Sequence, residues 1–149
     1  MKALLGLVIT CSITYSMETL EWGCATRKGH RPYQQDDFAA LIDYRGNKGW
    51  FGVFDGHGLN GESVSQAIAC RLHHKFFARQ DKTSIELSFI ESFKEMDLEL
   101  CFPLQHQKEG STATVAYIDG NAVWFASTGD SKAFYLSAEH VLLFESEEH

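Results

Sequence analysis

Proline is scarce, with two residues in a chain of 149, and there is no internal repeat, low-complexity tract or Gly/Ser-rich linker. With none of these to mark an internal boundary, the chain reads as one domain behind a short leader. Cysteine is thin as well. Cys11, Cys24, Cys70 and Cys101 are widely spaced and form no CxxC pair, which argues against a zinc knuckle or a dense disulfide framework and leaves buried free thiols as the expectation. Positive charge is in deficit: 13 Lys and Arg stand against 20 Asp and Glu, for a net charge of -7, and no basic run offsets it. Such a chain repels a phosphate backbone, so nucleic acid is not an expected partner. No apolar run is long enough to span a bilayer, so no membrane-spanning segment is expected.

What is present suits a globular core, with 44% hydrophobic and 22% charged residues. Seven histidines occur, and only His73 and His74 are close together. Neighbours on a helix point about 100° apart, so this pair makes a poor chelate and is read as surface. At the start, Lys2 precedes the apolar run Ala3-Leu4-Leu5-Gly6-Leu7-Val8-Ile9, and small residues follow at Thr14 and Ser16. This imitates a short secretory signal over residues 1–16, and an extra strand or N-terminal extension fits equally. We therefore set residues 1–18 apart as leader or extension and take 19–149 as the domain. Localisation in the cytoplasm or nucleus is expected, with secretion as the open alternative.

Strands are expected at Leu20 to Thr26, Phe38 to Asp43, Trp50 to Asp55, Thr112 to Ile118, Ala122 to Thr128, Lys132 to Leu136 and His140 to Phe144. Asp119-Gly120-Asn121 separates two of them as a hairpin turn, because Gly and Asn tolerate positive φ. From Glu62 to Arg79, apolar residues at Val64, Ala67, Ile68, Leu72, Phe76 and Phe77 follow helical spacing. A second helix is expected from Thr83, with Glu86 completing a capping box and Phe89, Phe93, Met96 and Leu100 as its buried stripe. Strands, two helices, then more strands read as α+β, with helices packed on an antiparallel sheet.

The densest chemical signal is Trp50-Phe51-Gly52-Val53-Phe54-Asp55-Gly56-His57-Gly58, an apolar strand ending in an acid, two glycines and a histidine. A buried strand delivers Asp55 rigidly to its tip. Gly56 permits close backbone approach, so its carbonyl can act as a second hard oxygen ligand of the kind Mg²⁺ and Mn²⁺ prefer. On its own, Asp-Gly-His is equally a tight turn after a strand.

Three further segments bear on that choice. Asp55-Gly56-His57-Gly58 resembles the Asp-Gly-His-Gly/Ala signature of the metal-dependent Ser/Thr protein phosphatases of the PPM (type 2C) family. Upstream, Arg31-Pro32-Tyr33-Gln34-Gln35-Asp36 is similar to its Arg-x-x-x-Glu-Asp segment. Downstream, Gly110-Ser111-Thr112-Ala113 and Gly129-Asp130-Ser131-Lys132-Ala133 resemble its Gly-Ser-Thr-Ala and Gly-Asp-Ser-Arg-Ala motifs, in the same order. The resemblance covers roughly residues 20–149.

The resemblance implies a β-sandwich flanked by helices, with two Mg²⁺ or Mn²⁺ ions at one end. It also implies hydrolysis of phosphoserine and phosphothreonine in phosphoprotein substrates without a phosphoenzyme. Carried over, Asp36 and Asp55 match metal ligands, with Asp55 bridging, Gly56 contributes its carbonyl, and Asp130 matches a ligand of a weaker third metal site. His57 matches the general acid and Arg31 the phosphate-binding arginine, whose guanidinium fork can grip two phosphate oxygens. Without the resemblance, Arg31 would be an ordinary surface arginine and Asp130 an Asx turn.

Departures from the pattern are Gln35 where the family often has Glu, a loss of charge that Asp37 is expected to offset, Lys132 for Arg, and Leu59 at a position where a small residue is common. The family's later half supplies two further aspartates, one after an apolar run ending in Asp-Gly and one in an Asp-Asn pair, which this chain lacks; the chain end reads as a truncation within the domain, at Ser146-Glu147-Glu148-His149. The expectations are therefore an incomplete sandwich, weak metal binding and little turnover by residues 1–149 alone, and self-association through unpaired apolar edges. The alternative function is a non-catalytic pseudophosphatase that keeps the fold as a binding module.

Overall fold

In chain order, the strands and helices are β1 (Thr10–Tyr15), β2 (Leu20–Ala25), β3 (Asp36–Asp43), β4 (Lys48–His57), α1 (Gly61–Gln80), α2 (Ile85–Cys101), β5 (Gly110–Ser111), β6 (Ala113–Asp119), β7 (Ala122–Thr128), β8 (Phe134–Leu136) and β9 (Leu142–Glu145). The structure is a computed structural model that describes residues 10–15, 20–30, 32–101 and 108–148. This is the α+β arrangement expected, and seven of the strands and both helices lie where the apolar patterning puts them.

The main sheet is antiparallel throughout, in the order β3-β4-β6-β7, with β5 continuing the line of β6 against the tip of β4. Its alternation splits the side chains between two faces. Trp50 and Phe54 of β4, with Val115 and Tyr117 of β6, join Leu72 and Phe76 of α1 and Phe89 and Met96 of α2 in the larger core. Phe51 and Ile118 face the other way, with Ile42 and Val123 packed beside them. The hairpins β1-β2 and β8-β9 meet that second face: Trp22 lies 6.1 Å from Phe51, and Phe144 stacks on Phe125 at 4.9 Å. A sheet with helices on one face and two strand pairs on the other agrees with one layer of a sandwich plus part of the second. The expected unpaired apolar surface is present on the β8-β9 hairpin, where Phe134, Tyr135, Leu136, Leu142, Leu143 and Phe144 are all exposed.

The hairpin at Asp119 forms as expected. Asp119 pairs with Ala122 across a two-residue turn, and Gly120 takes φ of 57° at the first central position, the place a II′ turn gives to glycine. The cap of α2 differs from expectation by one residue. Helix α2 begins at Ile85, and the Ser84 hydroxyl accepts the Leu87 N–H at 3.2 Å, so Ser84 and not Thr83 satisfies the third-position amide. Two of the thiols also depart from expectation. Cys24 is half-buried, but Cys70 and Cys101 are exposed, because they fall on the solvent-facing stripes of their helices; all three are free. His74 is exposed as expected, whereas His73 is half-buried with its ring edge against Trp50 at 5.8 Å. Among the described residues, no helix is long and apolar enough to cross a membrane.

The helices are tied together by charge across their outer seam. Lys75 of α1 reaches Glu95 at 2.8 Å and Glu99 at 2.6 Å on α2, and Arg79–Glu95 and Arg71–Glu99 pair beside them. Lys75 holds both carboxyls below the usual carboxylate range, helped by Arg79 at Glu95 and by Arg71 at Glu99. A carboxyl lowered in the folded state stabilises above its unfolded pKa and ceases to do so as pH falls through the folded value. The melting temperature is therefore expected to drop on acidification below about pH 4. Thermal melts between neutral and acid pH test this: the acid-side drop shrinks in Glu95→Gln if the seam causes it, and is unchanged if it does not.

Candidate metal and phosphate site

Two acids meet at the end of the main sheet because of strand register. Asp36 opens β3 and Asp55 lies near the close of β4, and the two are directly opposite. The next pair along, Gln35 with Gly56, carries the ladder bond, with the Gly56 N–H donating to the Gln35 carbonyl at 3.0 Å. Hydrogen-bonded and non-bonded pairs alternate in an antiparallel ladder, so Asp36 and Asp55 form a non-bonded pair, the kind with the closer side chains. Directly opposite Cβ atoms are about 4.5–5.5 Å apart on one face. Asp36 is 9% exposed and Asp55 is half-buried. By alternation from Phe51, Asp55 is on the face turned away from the helices, whereas the His57 ring reaches across Gly110 to the cavity on the helix side.

The turn after Asp55 is built so tightly that it admits no side chain. A Cβ at Gly56 would meet the Gly61 carbonyl oxygen at 2.2 Å and the Gln35 carbonyl oxygen at 2.5 Å, both backbone atoms. The start of α1 is thereby pressed against the strand tip. Buried Ser65 of α1 fixes the same place by donating to the Gln35 carbonyl at 2.6 Å. The Gln35 amide in turn donates to the Gly58 carbonyl at 2.6 Å. This gives Gln35 a use the sequence did not announce: an ionised Glu there has no proton to give that carbonyl. Gly58 itself has φ of 86°, a conformation for which glycine is suited.

On the other side of β4, Asp55 is bound to the Gly-Ser-Thr segment. Its carbonyl accepts the Thr112 N–H at 2.9 Å, and its N–H donates to the Thr112 hydroxyl at 3.0 Å. The Thr112 hydroxyl also lies 2.7 Å from the Ser131 hydroxyl, and the Thr114 hydroxyl donates to the Ser131 carbonyl at 3.0 Å. Gly129 fits over Thr112, where an added Cβ would sit 2.7 Å from its methyl carbon. The two downstream motifs thus meet each other at the strand tip that carries Asp55. Thr112, Ser131 and Ser65 were missed as site residues at the sequence level. The motif matches contained the first two without a role, because their part is to hold backbone.

His57 is exposed, two residues past Asp55, with its ring across Gly110; a Cβ there would meet Nε2 at 2.6 Å. Asp130 is exposed on the turn next to Ser131. Arg31 lies outside the described residues. Asp37 does not offset Gln35: the next residue along a strand points to the opposite face from Asp36, and its carboxylate accepts the Phe38 N–H at 2.8 Å. Lys132 pairs with Glu145 at 2.7 Å and Glu148 at 3.2 Å, and Leu59 is 93% exposed beside the site. A cavity of about 510 Å³ between the helices and the sheet end is lined by His57, Ile68, Met96 and Leu100 among others. Among the described residues its lining brings Asp97 and Glu109 and no lysine or arginine, which makes that part of it a poor seat for phosphate.

The donors gathered at the strand tips, two carboxylates with the Gly56 carbonyl next in sequence, are hard oxygens suited to Mg²⁺ or Mn²⁺. Among the described residues, no group of three or more His, Cys, Asp or Glu comes together as a metal site.

Residues 28–149 match the family described as Protein phosphatase 2C. The chain is 30% identical to the integrin-linked kinase-associated serine/threonine phosphatase 2C of Bos taurus, over 93% of this chain and 44% of that protein. It is 31% identical to the probable protein phosphatase 2C 56 of Oryza sativa, over 80% of this chain and 35% of the relative. Among solved structures, the serine/threonine phosphatase PstP/Ppp of Mycobacterium tuberculosis superposes with a TM-score of 0.64 at 15% identity, covering 95% of this chain and 55% of that one. The fold is thus the one the motifs implied. The chain spans less than half the length of these two sequence relatives.

Proposed function

This chain belongs to the protein phosphatase 2C family, and on that premise we propose that the full-length protein carrying it hydrolyses phosphoserine and phosphothreonine in proteins at a divalent metal centre. The observation that carries the reading is the register that sets Asp36 against Asp55 beside Gly56. These three residues would hold Mg²⁺ or Mn²⁺, with Asp130 contributing to a weaker site. Bound there, the cations would lower the pKa of a water and neutralise charge on the transferring phosphoryl group. The chain's own groups do the rest. His57, exposed at the strand end, would donate its proton to the departing serine or threonine oxygen. Arg31 would hold the phosphate by a bidentate pair.

Asp36, Asp55 and Asp130 alone are a lean set of acids for two cations, so residues 1–149 by themselves are expected to bind metal weakly and turn over little. The test is Mn²⁺-dependent hydrolysis of a phosphothreonine peptide by the full-length protein. Asp55→Asn is expected to lower kcat/KM by at least about a hundredfold, the upper end of what loss of even an outer partner of a metal ligand costs. A full-length protein without Mn²⁺-stimulated activity, or an Asp55→Asn variant as active as the wild type, contradicts the proposal and favours a binding module.

A further inference from the structure

The bonds around Thr112 depart from an ordinary ladder in one respect. Where two strand residues form a hydrogen-bonded pair, each N–H donates to the other's carbonyl. Thr112 and Asp55 keep half of that exchange, with the Thr112 N–H donating to the Asp55 carbonyl at 2.9 Å. The returning bond is different: the Asp55 N–H donates to the Thr112 side-chain hydroxyl at 3.0 Å. The Thr112 carbonyl is occupied by the Ser111 hydroxyl at 2.8 Å. Thr112 is 8% exposed, so water has little access to replace its hydroxyl. A hydroxyl that accepts the Asp55 N–H keeps its own proton to give, and the Ser131 hydroxyl stands 2.7 Å away to receive it. Ser131 is held in turn through its carbonyl by the buried Thr114.

We propose that the Thr112 hydroxyl, braced by Ser131, is a positioning device for the metal carboxylate Asp55, and that its hydrogen bond to the Asp55 N–H sets the angle at which that side chain meets Asp36. The inference rests on the metal reading given above. It assigns a reason to two motifs that contribute no ligand of their own at Thr112 or Ser131. Partners that orient metal ligands typically change metal affinity by about 10–100-fold when removed. Valine has the shape of threonine without the hydroxyl, so Thr112→Val removes the acceptor of the part-buried Asp55 N–H, while Thr112→Ser keeps it.

The experiment uses two readouts on the full-length protein: hydrogen exchange of the Asp55 amide without metal, and Mn²⁺ affinity by electron paramagnetic resonance titration. Thr112→Val is expected to speed Asp55 amide exchange and to weaken Mn²⁺ binding about tenfold. Thr112→Ser should match the wild type in both. Ser131→Ala, which removes the brace and keeps the carbonyl bonded to Thr114, should weaken Mn²⁺ binding in the same direction by less, and carries the test if Thr112→Val does not fold. Asp55→Asn should lose Mn²⁺ and keep slow amide exchange, since its bonds to Thr112 are made by backbone. Unchanged Mn²⁺ affinity in Thr112→Val and Ser131→Ala, with affinity lost in Asp55→Asn, overturns the inference and leaves the metal reading standing. Equal losses in Thr112→Ser and Thr112→Val overturn it too, because a variant that keeps the hydroxyl would then fail to keep the affinity. Wild-type Mn²⁺ affinity in Asp55→Asn overturns the metal reading itself.

Discussion

Replacing Gly56 with alanine is expected to lower folding stability by about 3 kcal/mol, at the upper end of what an overpacked site costs. The added carbon would stand 2.2 Å from the Gly61 carbonyl oxygen and 2.5 Å from the Gln35 carbonyl oxygen. Neither is the loose end of a side chain. One belongs to the first turn of α1 and the other to the chain entering β3, and Ser65 binds the second of them from α1. Relief therefore requires the helix and the strand to separate, which would also draw Asp36 from Asp55. Gly120 makes the control. It needs a positive φ of 57° but has nothing within 4 Å of an added Cβ, so Gly120→Ala should cost about 1–2 kcal/mol through backbone conformation alone. Urea unfolding of both variants distinguishes the causes, and a Gly56→Ala loss no larger than that of Gly120→Ala contradicts the close approach.

Phe76→Ala is expected to cost about 3–5 kcal/mol, while Phe77→Ala, the next residue, should cost about 1 kcal/mol or less. Phe76 is fully buried where three elements join, 4.4 Å from the Phe89 ring of α2 and 5.0 Å from the Tyr117 ring of β6. Phe77 is 38% exposed on the edge of the same contact. A domain of this size has only about 5–15 kcal/mol of net stability, so the first change removes a large fraction of it and the second does not. The site depends on this packing, because the same helix that Phe76 anchors delivers Gly61 and Ser65 to the strand tip. Similar midpoints for the two variants in chemical denaturation would contradict the placement of α1.

Particular residues show what could be read without coordinates. Trp50, Phe54, Leu72 and Phe76 were legible as core because their spacing matches the period of their element, and the sheet follows from them. Asp55 stood out as a candidate because an apolar strand ends on it, but that pattern alone is equally a tight turn, and the choice between the two came from the family resemblance. Its pairing with Asp36 was legible only through the family resemblance, since register depends on partners far apart in sequence. Thr83 was chosen over Ser84 because both are good caps one residue apart, and only the geometry of the Leu87 amide decides between them. Asp37 shows the reverse case: strand alternation, applied to Asp36, already turns it to the other face. Thr112 was hidden because a hydroxyl standing in for a ladder carbonyl leaves no periodic signature. Cys70 and Cys101 were misplaced because thiols are often buried, and helical phase put these two outside.

The claim on which the rest depends is that Asp36 and Asp55 bind a divalent cation together from opposite strands. Its most direct test is Mn²⁺ titration of the full-length protein and of its Asp36→Asn, Asp37→Asn and Asp55→Asn variants. The account predicts at least a tenfold loss of affinity in the first and third, within the range of a lost orienting partner or greater. It predicts wild-type affinity in Asp37→Asn, whose charge lies beside the first in sequence and on the opposite face of the sheet. Equal losses in all three variants would reduce the effect to net charge, and undiminished binding in Asp36→Asn or Asp55→Asn would contradict the site.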